Sequence, residues 1–156
     1  MSDLSGIYIH IPYCKQICPY CDFNVYPQQQ ANWQGLSNAL ISELIARAHL
    51  FADKEISSVY FGGGTPSLAP LALVEEVMAI IAEYYRLESN AEITLEIDPA
   101  TASREKCANL LELGINRMSL GWQSMHAPNL KVLGRSHQAE DNLELLESLR
   151  AMEYPQ

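Results

Sequence analysis

The sequence predicts an α/β fold on parallel strands, from three observations. β-rich segments alternate with helical ones four times over. After the first unit the connections are short. Pro12, the run Gly62-Gly63-Gly64 and Pro99 each stop a strand. Strand-helix repetition with short links implies parallel strands joined by right-handed helical crossovers.

The elements follow in order. Residues 7–11, Ile-Tyr-Ile-His-Ile, alternate and are β-rich, which predicts a strand. Pro12 ends it, and a cysteine-rich loop runs to about Pro27. Residues 32–49 place Trp33, Leu36, Leu40, Leu44 and Ala48 at helical spacing. Residues 57–61 form a second strand, stopped by three glycines. Ser67 is the expected cap of a second helix, with Pro70 in its first turn and an end near Tyr85. Residues 92–97 form a third strand ended by Asp98-Pro99. Ser103 caps a helix that Gly114 terminates. Residues 116–121 make a fourth strand, and a fourth helix covers about 139–152. Four units are too few to close a barrel, since an eight-unit barrel takes about 250 residues. The expectation is the N-terminal part of a larger barrel spanning residues 1–156, with its later units and a C-terminal domain outside this sequence.

The 156 residues carry 10 Lys and Arg against 19 Asp and Glu, a formal charge of −9. Nucleic acid is excluded as a broad partner, because a phosphate grip needs a basic face. Hydrophobic residues at 48% and charged ones at 19% describe a globular chain. No apolar run approaches the roughly 20 residues that span a bilayer. The opening Met-Ser-Asp-Leu-Ser lacks a basic start and an apolar core, so no signal peptide is expected. The expected compartment is the cytoplasm, where thiols stay reduced.

Cys14, Cys18 and Cys21 stand in a C-x3-C-x2-C arrangement. Three thiolates within eight residues can converge on one iron–sulfur cluster, which cysteine thiolates hold at such spacings. A 4Fe-4S cube on three cysteines keeps one iron open for a small ligand. Structural zinc prefers four N/S ligands, and only His10 offers a fourth, from a strand upstream. Unconnected core cysteines are the third reading, against which stand the flanking Pro12 and Pro19. Cys107, alone on the apolar side of a predicted helix, reads as a small buried hydrophobe.

With these residues the sequence resembles the radical S-adenosylmethionine (radical SAM) superfamily, whose defining motif is this triplet directly after the first strand. Four segments resemble one branch, the oxygen-independent coproporphyrinogen III oxidases and their relatives the haem chaperones. They are residues 7–21, the run Phe61-Gly62-Gly63-Gly64-Thr65-Pro66-Ser67, the run Thr94-Leu95-Glu96-Ile97-Asp98-Pro99, and residues 114–137. The fold implied is a partial (β/α) barrel of the radical SAM type, with about four of six units present.

The resemblance implies two cofactors, a 4Fe-4S cluster on Cys14, Cys18 and Cys21, and S-adenosyl-L-methionine on its open iron. One electron cleaves that cofactor, and the resulting 5′-deoxyadenosyl radical abstracts hydrogen from a substrate. Tyr20 is expected against the adenine, and Tyr8 and His10 are expected to point from the first strand toward the cofactor. Gly63, Gly64 and Thr65 are expected near the methionyl amino group, where three glycines let backbone approach a small molecule. Glu96 is costly in a buried strand unless paired. The resemblance pairs it with the cofactor's ammonium or ribose, and the alternative is an internal ion pair with Arg117. Gln123 is expected at the ribose, and Arg135 at the methionyl carboxylate. Without the resemblance, Gln123 reads as a loop end and Arg135 as a solvated charge. Asp98 reads as a turn residue beside Pro99. His126 and His137 are expected at exposed loop positions.

Two functions follow from the resemblance. One is a haem chaperone that binds haem and delivers it to haem proteins. The other is an oxidase that decarboxylates coproporphyrinogen III propionates. The oxidase branch carries a further cysteine two positions after the last ligand, where this sequence has Phe23 in Cys21-Asp22-Phe23-Asn24. That feature favours the chaperone. Expected partners are S-adenosylmethionine, haem or a porphyrinogen, an electron donor and haem-accepting proteins. A plain βα domain with an incidental metal loop is the remaining reading, and it gives the glycines no role.

Overall fold

The computed structural model describes residues 4–152; the opening Met-Ser-Asp and the closing Glu-Tyr-Pro-Gln lie outside that span. The chain runs β1 (Leu4–Ile11), β2 (Tyr13–Cys14), β3 (Tyr26–Pro27), α1 (Trp33–Arg47), β4 (Glu55–Gly63), α2 (Leu71–Tyr84), β5 (Arg86–Ile97), α3 (Arg104–Glu112), β6 (Arg117–Leu120), α4 (Ala127–Val132) and α5 (Ala139–Ala151). Strands β1, β4, β5 and β6 form one parallel sheet in that order, so each expected unit adds its strand beside the last. β1 and β6 stand at the two edges of this sheet.

Register sorts the side chains. Tyr8 pairs with Tyr60, Tyr60 with Thr94, and Thr94 with Arg117, which fixes one face. His10, Gly62, Glu96 and Ser119 continue it toward the strands' C-terminal ends. Ile9, Ile11, Val59, Phe61, Leu95 and Ile97 occupy the opposite face and are buried. They pack with Leu73, Val74, Val77 and Ile81 of α2, Leu110 of α3 and Leu145 and Leu149 of α5 in one core. Burying a side chain such as Phe61 stabilises the fold by roughly 1.5–3 kcal/mol.

Caps set the helix starts. The Asn32 side chain accepts from Gly35 N at 2.9 Å, Ser103 from Lys106 N at 3.1 Å, and Gln138 with Asp141 forms a capping box. Gly114, with φ +91°, ends α3 as expected. Ser67 differs from expectation. It lies in a 3-10 turn over Pro66–Leu68, its hydroxyl accepts from Asp98 N at 3.0 Å and bonds the Thr101 hydroxyl, and Pro70 precedes α2 instead. The hydroxyl is buried between two loops, which removes it from the helix start. β5 begins at Arg86 instead of residue 92, and α4 is an additional short helix. No helix among the described residues is long and apolar enough to cross a membrane.

Candidate functional site

The site lies past the C-terminal ends of the sheet, where parallel α/β folds place their ligands. β1 ends at Ile11, whose carbonyl accepts from Gly64 N at 2.8 Å, and the Tyr13 carbonyl accepts from Thr65 N at 2.9 Å. These bonds draw the start of the cysteine loop against the glycine turn. Tyr26 N donates to the Pro12 carbonyl at 2.8 Å, and β2 pairs with β3, so the loop closes on itself. Within it Cys21 N donates to the Cys18 carbonyl at 3.0 Å, a turn with Pro19 in its second position.

Cys14, Cys18 and Cys21, all free, line one open cavity of about 270 Å³. Cys14 is buried; burial pushes its thiol up from the ordinary value, and the Thr65 hydroxyl bonded to it works the other way. Tyr20, Gly63, Gly64, Thr65, Glu96, Gln123 and Arg135 line the same cavity. Tyr8 and His10 do not. Tyr8 stacks on Tyr60 with ring centres 6.0 Å apart, and it bonds His10 Nδ1 at 3.2 Å. His10 Nε2 faces the Asn24 carbonyl at 2.9 Å, so the residue ties β1 to the cysteine loop from the polar face of the sheet.

The three glycines have reasons inside the chain. A Cβ on Gly62 would meet the rings of Tyr60 and Tyr8 at 2.7 and 2.9 Å. One on Gly63, which has φ +113°, would meet His10 at 2.6 Å. One on Gly64 would meet Pro12 C and Tyr13 O at 2.9 Å and Cys14 Sγ at 3.0 Å. The glycine turn is thus the seat of the cysteine loop, beyond any ligand contact.

Glu96 is held by the protein itself. Oε1 accepts from the Tyr60 hydroxyl at 2.7 Å and Oε2 from Gly63 N at 3.2 Å. The expected alternative, an ion pair with Arg117, is not formed. Arg117 lies 3.6 Å from Glu92 and donates to the Thr94 hydroxyl at 3.3 Å. Gln123 has φ +60°, the single positive value for a non-glycine among the described residues, and it sits at the cavity wall. Such backbone conformations gather at functional sites.

Arg135 is no solvated charge. Its guanidinium donates to Asp98 Oδ2 at 2.6 Å, to the Gly121 carbonyl at 3.1 Å and to Cys18 Sγ at 3.4 Å. Nε of the same group is buried without a partner. Asp98 is the turn residue expected, accepting from Ala100 N at 2.9 Å, yet its second oxygen holds Arg135 and faces the site. His137 corrects the exposed-loop expectation. It is 1% exposed, with Nε2 at 3.1 Å from the Trp122 carbonyl and Nδ1 at 3.9 Å from Asp98 Oδ1. The loop after α4 folds it under Trp122, which polar sequence alone does not signal. His126 is exposed, as expected. Cys107 is fully buried in the core, also as expected.

Tyr60, Asp98 and Ser119 join the site without being expected there. Strand parity offered a signal: Tyr60 lies two positions before Gly62, and Ser119 registers with Glu96.

The donor set fits a cluster better than one ion. Structural zinc takes four N/S ligands, and among the described residues the cavity is lined by three cysteines and no histidine. Three cysteines on one cavity suit an iron–sulfur cluster that keeps one iron open. Arg135 brings a guanidinium to the wall of the same cavity.

Known proteins resemble this arrangement. The profile of the Radical SAM superfamily matches residues 8–156. A Bos taurus protein named radical S-adenosyl methionine domain-containing protein 1, mitochondrial, is 38% identical over 145 residues, 93% of this chain and 33% of its own. The heme chaperone HemW of Haemophilus influenzae is 38% identical over 141 residues, 87% of this chain and 37% of its own. The solved structure of coproporphyrinogen III oxidase from Escherichia coli superposes with a TM-score of 0.88 at 31% identity, covering 97% of this chain and 35% of that one. The chain thus spans about a third of the length of the relatives it matches.

Proposed function

Because the chain belongs to the radical SAM superfamily, we propose that it forms the N-terminal part of the cofactor-binding barrel of a haem chaperone. Cys14, Cys18 and Cys21 would hold a 4Fe-4S cluster, with S-adenosylmethionine beside it. When bound, these groups supply one-electron chemistry at a carbon–sulfur bond. The protein's share is to bind, orient and shield them.

The residues divide that work by charge. Glu96, fixed by Tyr60 and Gly63 N, presents a carboxylate to an ammonium group. Arg135 places a guanidinium at the cysteine side of the cavity, where it would meet a carboxylate. A zwitterionic amino-acid moiety matches that pair. Gln123 and Tyr20 line the cavity, where an amide can bond a ribose and an aromatic ring can cover a base. Tyr8 and His10 would act from the neighbouring part of the face. We place the protein in a reducing compartment, the cytoplasm, with an electron donor and haem-accepting proteins as partners.

Phe23 carries the choice of chaperone. It lines the cavity, is 69% exposed, and occupies the position where the oxidase branch has a further cysteine. The structural likeness to the Escherichia coli oxidase supports the second reading, decarboxylation of coproporphyrinogen III. The test gives the cluster-loaded full-length protein haem in one arm and coproporphyrinogen III with S-adenosylmethionine and a reductant in the other. Stoichiometric haem binding with transfer to an apo-haem protein, and no carbon dioxide release, is the expected result. Porphyrinogen turnover without haem binding transfers the assignment to the oxidase.

A further inference from the structure

The Asp98–Arg135 pair is nearly enclosed, with side chains 18% and 10% exposed. It sits on the protein side of the cysteine loop, and its geometry is over-determined. Asp98 is fixed at both ends: its N–H donates to the Ser67 hydroxyl at 3.0 Å, and Oδ1 accepts from Ala100 N at 2.9 Å. Oδ2 is left to take one Arg135 nitrogen at 2.6 Å, which also reaches the Gly121 carbonyl. With that nitrogen anchored twice, the planar fork leaves the other terminal nitrogen one direction, onto Cys18 Sγ at 3.4 Å. Gly134, at φ +64° one residue before, lies where a Cβ would strike Pro19 at 2.8 Å, so the arginine's backbone is seated against the same loop.

We propose that Asp98 is a positioning residue for the metal centre: its carboxylate locks Arg135 so that one guanidinium N–H is presented to the sulfur of Cys18. The proposal rests on the reading of Cys14, Cys18 and Cys21 as cluster ligands. Hydrogen bonds to cluster sulfurs are among the features that set reduction potential, and partners outside the ligand set orient ligands and strengthen metal binding 10–100-fold. An N–H on the Cys18 sulfur withdraws electron density from the thiolate. It therefore favours the reduced, more negative cluster and raises its potential.

The experiment is a double-mutant cycle of Asp98→Asn and Arg135→Gln in the cluster-loaded holoprotein, without S-adenosylmethionine. Asparagine keeps the oxygen that caps Ala100 but turns an amide toward Arg135, so the turn survives and the lock does not. Midpoint potentials are read by electron paramagnetic resonance during redox titration, and iron loss to a chelator is followed in parallel. Arg135→Gln is expected to lower the potential and to speed iron loss 10–100-fold. Asp98→Asn removes a negative charge, which alone raises the potential; in the Arg135→Gln background only that rise remains. In the wild-type background the change is expected to fall below it, because the N–H is also lost. Equal changes in the two backgrounds mean that Asp98 acts by charge or as a turn residue only, and the proposal is overturned. Should Asp98→Asn not fold, Asp98→Ser keeps a capping oxygen and replaces it in the cycle. Close to four irons in each variant hold the cluster reading apart; a wild-type protein that takes up no cluster sinks that reading instead.

Discussion

Gly64→Ala tests whether the glycine turn is the seat of the cysteine loop. A Cβ there meets three atoms at 2.9–3.0 Å; two are backbone and cannot rotate away, and the third, Cys14 Sγ, can turn aside only by leaving its place in the cavity. Either the turn retreats from the loop or the loop lifts. The first breaks the bonds from Gly64 N to Ile11 O and from Thr65 N to Tyr13 O; the second carries Cys14 outward. Overpacking of this kind costs about 1–3 kcal/mol. Against a total near 5–15 kcal/mol the fold survives. At about 2–4 °C per kcal/mol for a domain of this size, melting should fall by about 2–12 °C. The assay pairs thermal unfolding of the apo-protein with iron content after anaerobic reconstitution. Both are expected to drop. Gly114→Ala is the control: its φ of +91° is strained, but only Ile93 lies nearby, at 4.0 Å, far from the loop. It should lower melting and leave iron unchanged. Wild-type melting and wild-type iron in Gly64→Ala would refute the steric reasoning.

Two further outcomes follow from the core. Cys107→Ser buries a hydroxyl among apolar side chains and should cost about 1–3 kcal/mol in urea unfolding, with iron content per chain unchanged; a loss of one-quarter or more of the iron would make Cys107 a participant in the metal site. Tyr85→Phe removes the hydroxyl that donates to the Leu44 carbonyl at 2.7 Å, at about 0.5–1.5 kcal/mol near neutral pH. Burial raises that hydroxyl above its ordinary 10.0, so the folded state favours the protonated form. Its contribution is complete below pH 10 and is lost as pH rises through the folded value. The gap between wild type and variant should therefore narrow above pH 10; a constant gap up to alkaline unfolding contradicts it.

The elements that the sequence announced are those whose pattern is local. Ile-Tyr-Ile-His-Ile alternates because one sheet face packs on helices and the other is polar. Ser103 and Gly114 bracket α3 because cap chemistry needs only neighbours along the chain. What escaped depends on distant partners. Ser67 has the composition of a cap, yet Asp98 N and Thr101 claim its hydroxyl. The segment from Arg86 to Asn90 is polar and does not alternate; β4 draws its start into the sheet at Glu55 and Ile56. α4 is six residues with Pro128 inside its first turn, too short for a period to register. The site divides the same way. The cysteine triplet and the glycine run are visible as strings, whereas Asp98 as the holder of Arg135 is visible only in space, 37 residues apart.

That separation explains why the polar residues at the strand ends are tolerable. Parallel sheets ordinarily bury apolar residues on both faces. Here one face carries Tyr8, His10, Tyr60, Glu96 and Arg117 while the other is a continuous core. A carboxylate on that face is stable only if its oxygens are satisfied, and Glu96 has two donors, a hydroxyl and an amide N–H. Neither is a cation, so the charge is solvated but not cancelled. Asp98 is different: Arg135 meets it directly. One acid at the cavity is thus spent within the protein and the other is left exposed to an incoming ligand. This asymmetry makes Glu96 the group to which a cationic ligand would turn. Glu96→Gln keeps one acceptor, for Gly63 N, and turns an amide NH2 toward the Tyr60 hydroxyl oxygen, so that bond survives only with its direction reversed; the change removes the charge that a cationic ligand would meet.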